Sequence, residues 1–218
     1  MKNMQVSFKE PPKDCDLCPR LREFILGNRE KFPDKFNAPV PGFGGMNSEL
    51  LIVGLAPGLK GANFSSRPFT GDYAGDLLYG TLIKFGFARG EYLARADDGL
   101  ELVNCRITNA VKCVPPENKP TGEETKICMD TYLKGEIAAM RNLKVILSLG
   151  LISHNAVLKA FGAKQAAHKF GHGAMHDLSG GLTLIDSYHC SRYNTQTGRL
   201  TTPMFEDIFT LINAALKR

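Results

Sequence analysis

Apolar residues along this chain fall into two alternating patterns. Four short, nearly continuous apolar runs occur in ELLIVGLAPG, ELVNCRITNAV, KVILSLG and GLTLIDSYH, each giving way to glycine or polar residues. Such runs predict strands buried on both faces. Between and around them lie segments with helical spacing. Leu17, Leu21, Phe24 and Ile25 mark a helix from about Leu17 to Phe32, and GDLLYGTLIKFGF, LISHNAVLKAF and TPMFEDIFTLINAALK mark three more. A further helix is predicted to run to about Arg141, opened by Thr121 and Glu124 in capping-box spacing. Strands alternating with helices predict an α/β domain of three layers, with a parallel sheet covered on both faces. No repeat, low-complexity tract or boundary divides residues 1–218, and residues 1–14 read as a polar lead-in. In sheets of this kind ligands bind beyond the C-terminal strand ends. That selects the loops GLAPGLKGANFSSRPFTGD, TNAVKCVPPENKP, GLISHN and HCSRYNTQTGRLT.

Composition changes this picture in only two places. Hydrophobic residues make up 43% and charged residues 22% of the 218 positions, an ordinary globular balance, and the net charge of +5 is compatible with a polyanionic partner without requiring one. The N-terminal stretch has no apolar signal core, and no segment approaches the roughly eighteen apolar residues of a membrane span, so the cytoplasm is the expected compartment. The six cysteines matter more, because disulfides are not expected there. Cys15 and Cys18 form a C-x-x-C, and fourteen residues separate Cys113 from Cys128. Four thiolates from two distant segments can close around zinc or a [4Fe–4S] cluster, and spacing leaves the choice open. The ordinary alternative is a redox pair or buried thiols. No strand precedes Cys15, which weighs against a thioredoxin-like pair. Cys105 lies within a predicted strand and reads as core.

The selected loops hold the candidate chemistry. The first combines Gly54, Gly58, Gly61 and Gly71 with Phe69 and Asp72. Glycines let backbone approach a ligand and expose N–H groups to it, although the loop matches no phosphate-binding fingerprint. It reads equally as a strand-to-helix turn in which Asp72 caps the next helix. Asn109 follows the second strand, where a side-chain amide can both donate to and accept from a pyrimidine edge, or simply hold a turn. His189 follows the fourth strand, and a single histidine there is more often structural. His168, His172 and His176 recur at intervals of four, but Gly171 and Gly173 oppose a helix, so a loop is expected there and not a metal-binding face.

Taken together, CDLCPRL, GLAPGLKGANFSSRPFTGD, ITNAVKCVPP, the FGHGAMH segment and SYHCSRYNTQTGRLT resemble, in that order, the family-five uracil-DNA glycosylases. This is the B branch of the thermophile-type enzymes, related to the iron–sulfur family-four enzymes. The resemblance implies the uracil-DNA glycosylase fold, with a central four-stranded parallel sheet between helices. It implies a [4Fe–4S] cluster on Cys15, Cys18, Cys113 and Cys128. It implies a uracil pocket built from Gly54, Ala56 and Gly58, with Phe69 stacking on the base and Asn109 reading it, and it makes Asp72, Asn109 and His189 the catalytic candidates. Lys112 and Arg199 are expected to hold phosphates, and Ser191, Arg192 and Tyr193 to meet the DNA where the base has left the stack. The implied partner is DNA carrying uracil or other deaminated bases such as hypoxanthine. The protein is expected to be a monofunctional enzyme, a monomer, and associated with the nucleoid while scanning. Two departures stand out. Leu55 replaces the Glu of the family-four GEAPG motif, and His189-Cys190-Ser191 replaces His-Pro-Ser, which removes a fixed φ beside the histidine. The altered loop keeps a second reading in view, a protein that binds uracil or abasic DNA with little turnover. A redox iron–sulfur carrier is the third.

Overall fold

Four parallel strands form the centre of the sheet, and two antiparallel strands close its edges. The computed structural model describes residues 8–217, so the first seven positions of the polar lead-in lie outside the described residues. In chain order the strands are β1 (Phe43–Gly44), β2 (Leu50–Gly54), β3 (Ala88–Arg89), β4 (Glu101–Leu102), β5 (Cys105–Asn109), β6 (Val145–Leu149), β7 (Met175–Leu178) and β8 (Leu182–Ser187). The helices are α1 (Pro19–Lys31), α2 (Ala62–Ser65), α3 (Tyr73–Lys84), α4 (Gly122–Cys128), α5 (Lys134–Ala139), α6 (Leu151–Ala160), α7 (Arg192–Gln196) and α8 (Thr202–Leu216). The main sheet has the order β1-β5-β2-β6-β8-β7. Its inner pairs are parallel and its outer pairs, β1 with β5 and β7 with β8, are antiparallel.

The four expected strands are this parallel core; the edge strands are additions. One expected strand is shorter than ELVNCRITNAV. Asn104 adopts a left-handed conformation, φ 48°, and divides the run. Glu101 and Leu102 turn aside to pair with Ala88 and Arg89 in a separate two-stranded ribbon. The Asn104 side chain stabilises the break by accepting from the Glu49 N–H at 2.9 Å.

Every residue of β2, β5 and β6 is buried. Alternation along β2 therefore feeds two cores. Leu50 and Ile52 pack with Leu78, Leu147, Ile185, Phe205 and Phe209 beneath α3 and α8. Leu51 and Val53 pack with Met129, Leu133, Ile146 and Val157 beneath the α4–α5 segment and α6. A smaller cluster joins Leu21 and Ile25 of α1 to Val111 and Val114. The Thr121–Glu124 capping box forms: the Thr121 hydroxyl accepts from Glu124 N–H at 3.1 Å, and Glu124 accepts from Thr121 N–H at 2.7 Å. The helix it opens runs through a π turn, Met129–Leu133, before continuing as α5. His168 and His172 lie in the connection between α6 and β7, with no helical face, and His176 lies on β7.

Candidate active site at the C-terminal rim of the sheet

The loops that leave β2, β5 and β8 enclose a cavity of about 480 Å³. Register explains how it is built. Gly54 closes β2 directly beside Asn109, which closes β5. A Cβ at Gly54 would fall 2.4 Å from Asn109 Oδ1 and 2.6 Å from Phe69 Cζ. Only glycine lets the amide and the aromatic ring approach this closely. Phe69 itself has φ 57°. A bulky side chain in that region costs on the order of 1–3 kcal/mol, strain that survives where surrounding contacts impose it.

Asp72 also lines the cavity. It precedes α3, but its side chain makes no capping bond. The carboxylate instead occupies a niche opened by two glycines, because a Cβ at Gly58 would lie 2.6 Å from Oδ1 and one at Gly61 2.0 Å from Cγ. Burial raises its pKa above the usual value, opposed only by the Ala62 N–H. His189 stands across the cavity, its ring centroid 5.9 Å from that of Phe69. Its Nδ1 is buried without a hydrogen-bond partner among the described residues. Burial lowers its pKa to about 4, so the imidazole is neutral at physiological pH.

The His189 loop lacks proline but is anchored in other ways. Cys190 is fully buried in the core beneath α8, where burial pushes its thiol up to about 12 and leaves it an inert apolar plug. Asn194 Nδ2 donates to His189 O at 2.8 Å, and the Ser191 hydroxyl caps α7 by accepting from Asn194 N–H. Ser191 and Arg192 line the cavity, with the Arg192 guanidinium 5.2 Å over the Tyr73 ring. Tyr193 is 70% exposed at the rim. Arg199 stacks 4.7 Å over the Tyr188 ring.

Lys112 does not meet its expectation as a phosphate contact. The side chain is buried, with Nζ bonded to Thr108 Oγ1 and 2.7 Å from Glu136 Oε2. Glu136 also pairs with Arg106 at 2.7 Å. Lys112 thus turns away from solvent toward a buried carboxylate, and no nucleic acid can reach it.

The structure brings Ala56, Gly58, Phe69, Asp72, Asn109, His189, Ser191 and Arg192 to one cavity, and Gly54 lies outside its lining, against Asn109 and Phe69. It adds Leu55, Pro57, Ala62, Tyr73, Ala74 and Asn118, which sequence reasoning did not select. Asn118 carried a signal, since PPENKP reads as a turn and Asn tolerates its left-handed φ of 56°. A largely buried polar cluster of four residues around Asp186 of β8 accounts for His176. Asp186 accepts from the Ser148 hydroxyl at 2.7 Å and is paired with His154 at 2.8 Å and His176 at 3.0 Å.

Cys15, Cys18, Cys113 and Cys128 line a second, much smaller cavity, beside Leu21, Val111 and Tyr132. The Tyr132 hydroxyl lies 3.4 Å from Cys15 Sγ, and Lys112 N–H donates to Cys128 Sγ at 3.3 Å. Burial raises all three of Cys18, Cys113 and Cys128, the last to about 11. The four thiols share one apolar niche, and a metal centre held there would have to draw off their protons. Cys105 and Cys190 lie apart from it in the main core.

An aromatic wall, an amide able to read a base edge, a half-buried carboxylate and an uncharged imidazole, gathered beyond the C-terminal ends of parallel strands, define an α/β site for handling a nucleobase. The chain belongs to the uracil DNA glycosylase superfamily, whose family model matches residues 41–217. It is 43% identical over 207 residues to the type-5 uracil-DNA glycosylase of Thermus thermophilus, covering 93% of this chain and 94% of that one. Against the type-5 enzyme of Mycobacterium bovis it is 39% identical over 203 residues, covering 89% and 75%. A type-4 uracil-DNA glycosylase of Pyrobaculum aerophilum is 36% identical over 160 residues, covering 73% and 66%. No described helix is long and apolar enough to cross a membrane.

Proposed function

We propose that this protein is a uracil-DNA glycosylase that hydrolyses the bond between uracil and deoxyribose in DNA, the first step of base excision repair. The observation that carries this reading is the meeting of Phe69, Asn109, Asp72 and His189 in one cavity of a chain similar to named type-5 enzymes along nearly its whole length. The target C1′ is hidden in a duplex, so the nucleotide must leave the stack at a cost of a few kcal/mol. Stacking on Phe69 returns about 1–3 kcal/mol. The Asn109 amide pairs with the base edge, and Tyr193 fills the gap left in the duplex. Ser191, Arg192 and Arg199 hold the strand; a guanidinium stacked on an aromatic ring keeps its in-plane N–H groups free for phosphate.

In the chemical step the C1′–N1 bond breaks, its electron pair leaves with uracil, and positive charge develops on the sugar. A buried lone pair without a partner is tolerated better than a buried N–H. The orphaned Nδ1 therefore favours the tautomer with the proton on Nε2, which donates to uracil O2 as negative charge grows there. A donor of this kind commonly contributes about 10²–10³ in rate. The Asp72 carboxylate stabilises the sugar cation and orients the water that adds to C1′ and releases its proton. Burial raises its pKa above the ordinary carboxylate value, which makes it a stronger base toward that water.

Cys15, Cys18, Cys113 and Cys128 are the residues that would hold a [4Fe–4S] cluster. Its contribution would be structural, tying α1 to α4 and to the loop that carries Asn118. An iron and zinc count on the purified protein tests that assignment. The glycosylase reading is tested with duplexes bearing one uracil or one hypoxanthine. Release of free uracil in several-fold excess over enzyme, leaving abasic sites, is the expected result. Stoichiometric binding without released base would instead identify a protein that only binds damaged DNA. Release of hypoxanthine would extend the substrate class to deaminated purines.

A further inference from the structure

The Phe69 wall is held from behind by residues that do not line the cavity. Two tyrosines stacked 4.6 Å apart fasten the carbonyls on either side of the left-handed Phe69. Tyr79 donates to Pro68 O at 2.5 Å. Tyr92 donates to Phe69 O at 3.1 Å and accepts from Gly71 N–H at 3.2 Å. Gly75 leaves room for both groups, since a Cβ there would fall 2.0 Å from Phe69 O and 2.3 Å from the Tyr92 oxygen.

A buried ion pair then locks this arrangement to the β3–β4 excursion. The Arg67 guanidinium lies 5.3 Å and 5.8 Å from the centroids of Tyr79 and Tyr92 and makes two 2.7 Å bonds to Asp98. Asp98 also accepts from Leu93 N–H at 3.1 Å and Leu100 N–H at 3.0 Å. The residues flanking Tyr92 and the loop carrying Phe69 are thereby tied to the same carboxylate. Hydrogen bonds to consecutive carbonyls define the orientation of the peptide planes on both sides of Phe69, and so the direction of its ring.

We propose that Tyr92 is a positioning residue for base recognition. Its hydroxyl keeps Phe69 in the left-handed conformation that presents the ring to a flipped base, and so sets the preference for DNA carrying a flippable target. This rests on the reading of Phe69 as the stacking wall.

The test compares binding to two duplexes. One carries 2′-fluoro-2′-deoxyuridine, which resists cleavage, opposite guanine, and the other carries cytidine at that place. The Tyr92→Phe variant is expected to lose about tenfold of the wild-type preference, while affinity for the undamaged duplex holds and the melting temperature falls by only a few degrees. A merely structural loss would weaken both duplexes together. In a Phe69→Ala background the same substitution should add nothing. Tyr79→Phe, which removes the tyrosine bond to the Pro68 carbonyl and leaves it the 3.4 Å bond from the Thr70 hydroxyl, offers the same reading with Tyr92 intact. An unchanged preference in both tyrosine variants, or a loss from Tyr92→Phe that persists in full without Phe69, overturns the proposal. An undiminished preference in Phe69→Ala alone would instead overturn the stacking role itself, and the proposal with it.

Discussion

Two polar centres of the fold differ in how their charges are matched. In the first, Glu136 sits between Arg106 and Lys112 with both distances at 2.7 Å. Burial alone would raise its pKa, but Lys112 and Arg106 together hold it below the ordinary value. In the second, Asp72 and His189 are half-buried with no ion-pair partner among the described residues, and desolvation displaces each toward its neutral form. The first arrangement satisfies every charge within the fold and leaves nothing for a ligand. The second leaves a carboxylate and an imidazole to be completed by whatever enters the cavity. Perturbation without a partner marks the functional site, and perturbation with partners marks the scaffold. By this criterion Lys112 belongs to the scaffold, although its place in a rim loop suggested phosphate binding.

The contrast breaks most directly at Glu136. Glu136→Ala would leave Lys112 as an uncompensated buried cation and Arg106 with Glu10 alone, 2.6 Å away, and about 3–5 kcal/mol of stability should be lost. Urea unfolding at neutral pH measures this, and a loss below about 1 kcal/mol would show that the pair is not the scaffold element described here. At a temperature where the variant stays folded, cleavage should be retained.

His189 should show the opposite behaviour. His189→Ala is expected to slow single-turnover release of uracil by about 10²–10³ while leaving stability and duplex binding nearly unchanged. A wild-type pH profile sharpens the point. With the folded pKa lowered from 6.5 to about 4, the ring stays neutral as pH falls through 6.5, so the rate should show no His inflection there. The unfolded chain takes up that proton first, so this residue's contribution to stability is present above pH 6.5 and is lost as pH falls toward 4. A rate that rises or falls tenfold across pH 6.5 would contradict the neutral donor.

Asp72 should give the smallest effect on stability, and of reversed sign. Its folded pKa is raised above the usual 3.8, so the folded protein is penalised at neutral pH for holding the carboxylate, and the penalty fades as pH falls toward 3.8. Asp72→Asn should therefore melt slightly higher at neutral pH while cleaving more slowly. Equal melting of the two proteins at pH 7 would place the carboxylate in a better-solvated setting than its niche suggests.

Much of this was legible in the order of residues because the signals are local. Continuous apolar runs predict β6 and β8 within two residues and the start of β2 within one, since strands buried on both faces need no alternation. The capping box is a contact over three positions and was readable as such. The rule that ligands gather at C-terminal strand ends selected the loops that carry Phe69, Asp72, Asn109 and His189. The edge strands were not legible. β1 has two residues and β7 four with polar alternation, too little pattern to distinguish them from loop.

Other features depended on partners far away in sequence. By itself the chain determined which segments are strands and helices, where the chemical residues stand along it, and that four cysteines come in two separated pairs. Only the tertiary structure decided that Lys112 meets Glu136, 24 positions on, and so turns inward. It likewise decided that Gly54 lies against Asn109, and that Tyr92 holds the carbonyl of a residue 23 positions before it. Periodicity and capping arise from neighbours within a turn or a strand, whereas burial, charge pairing and backbone strain are set by groups that meet only once the sheet has assembled.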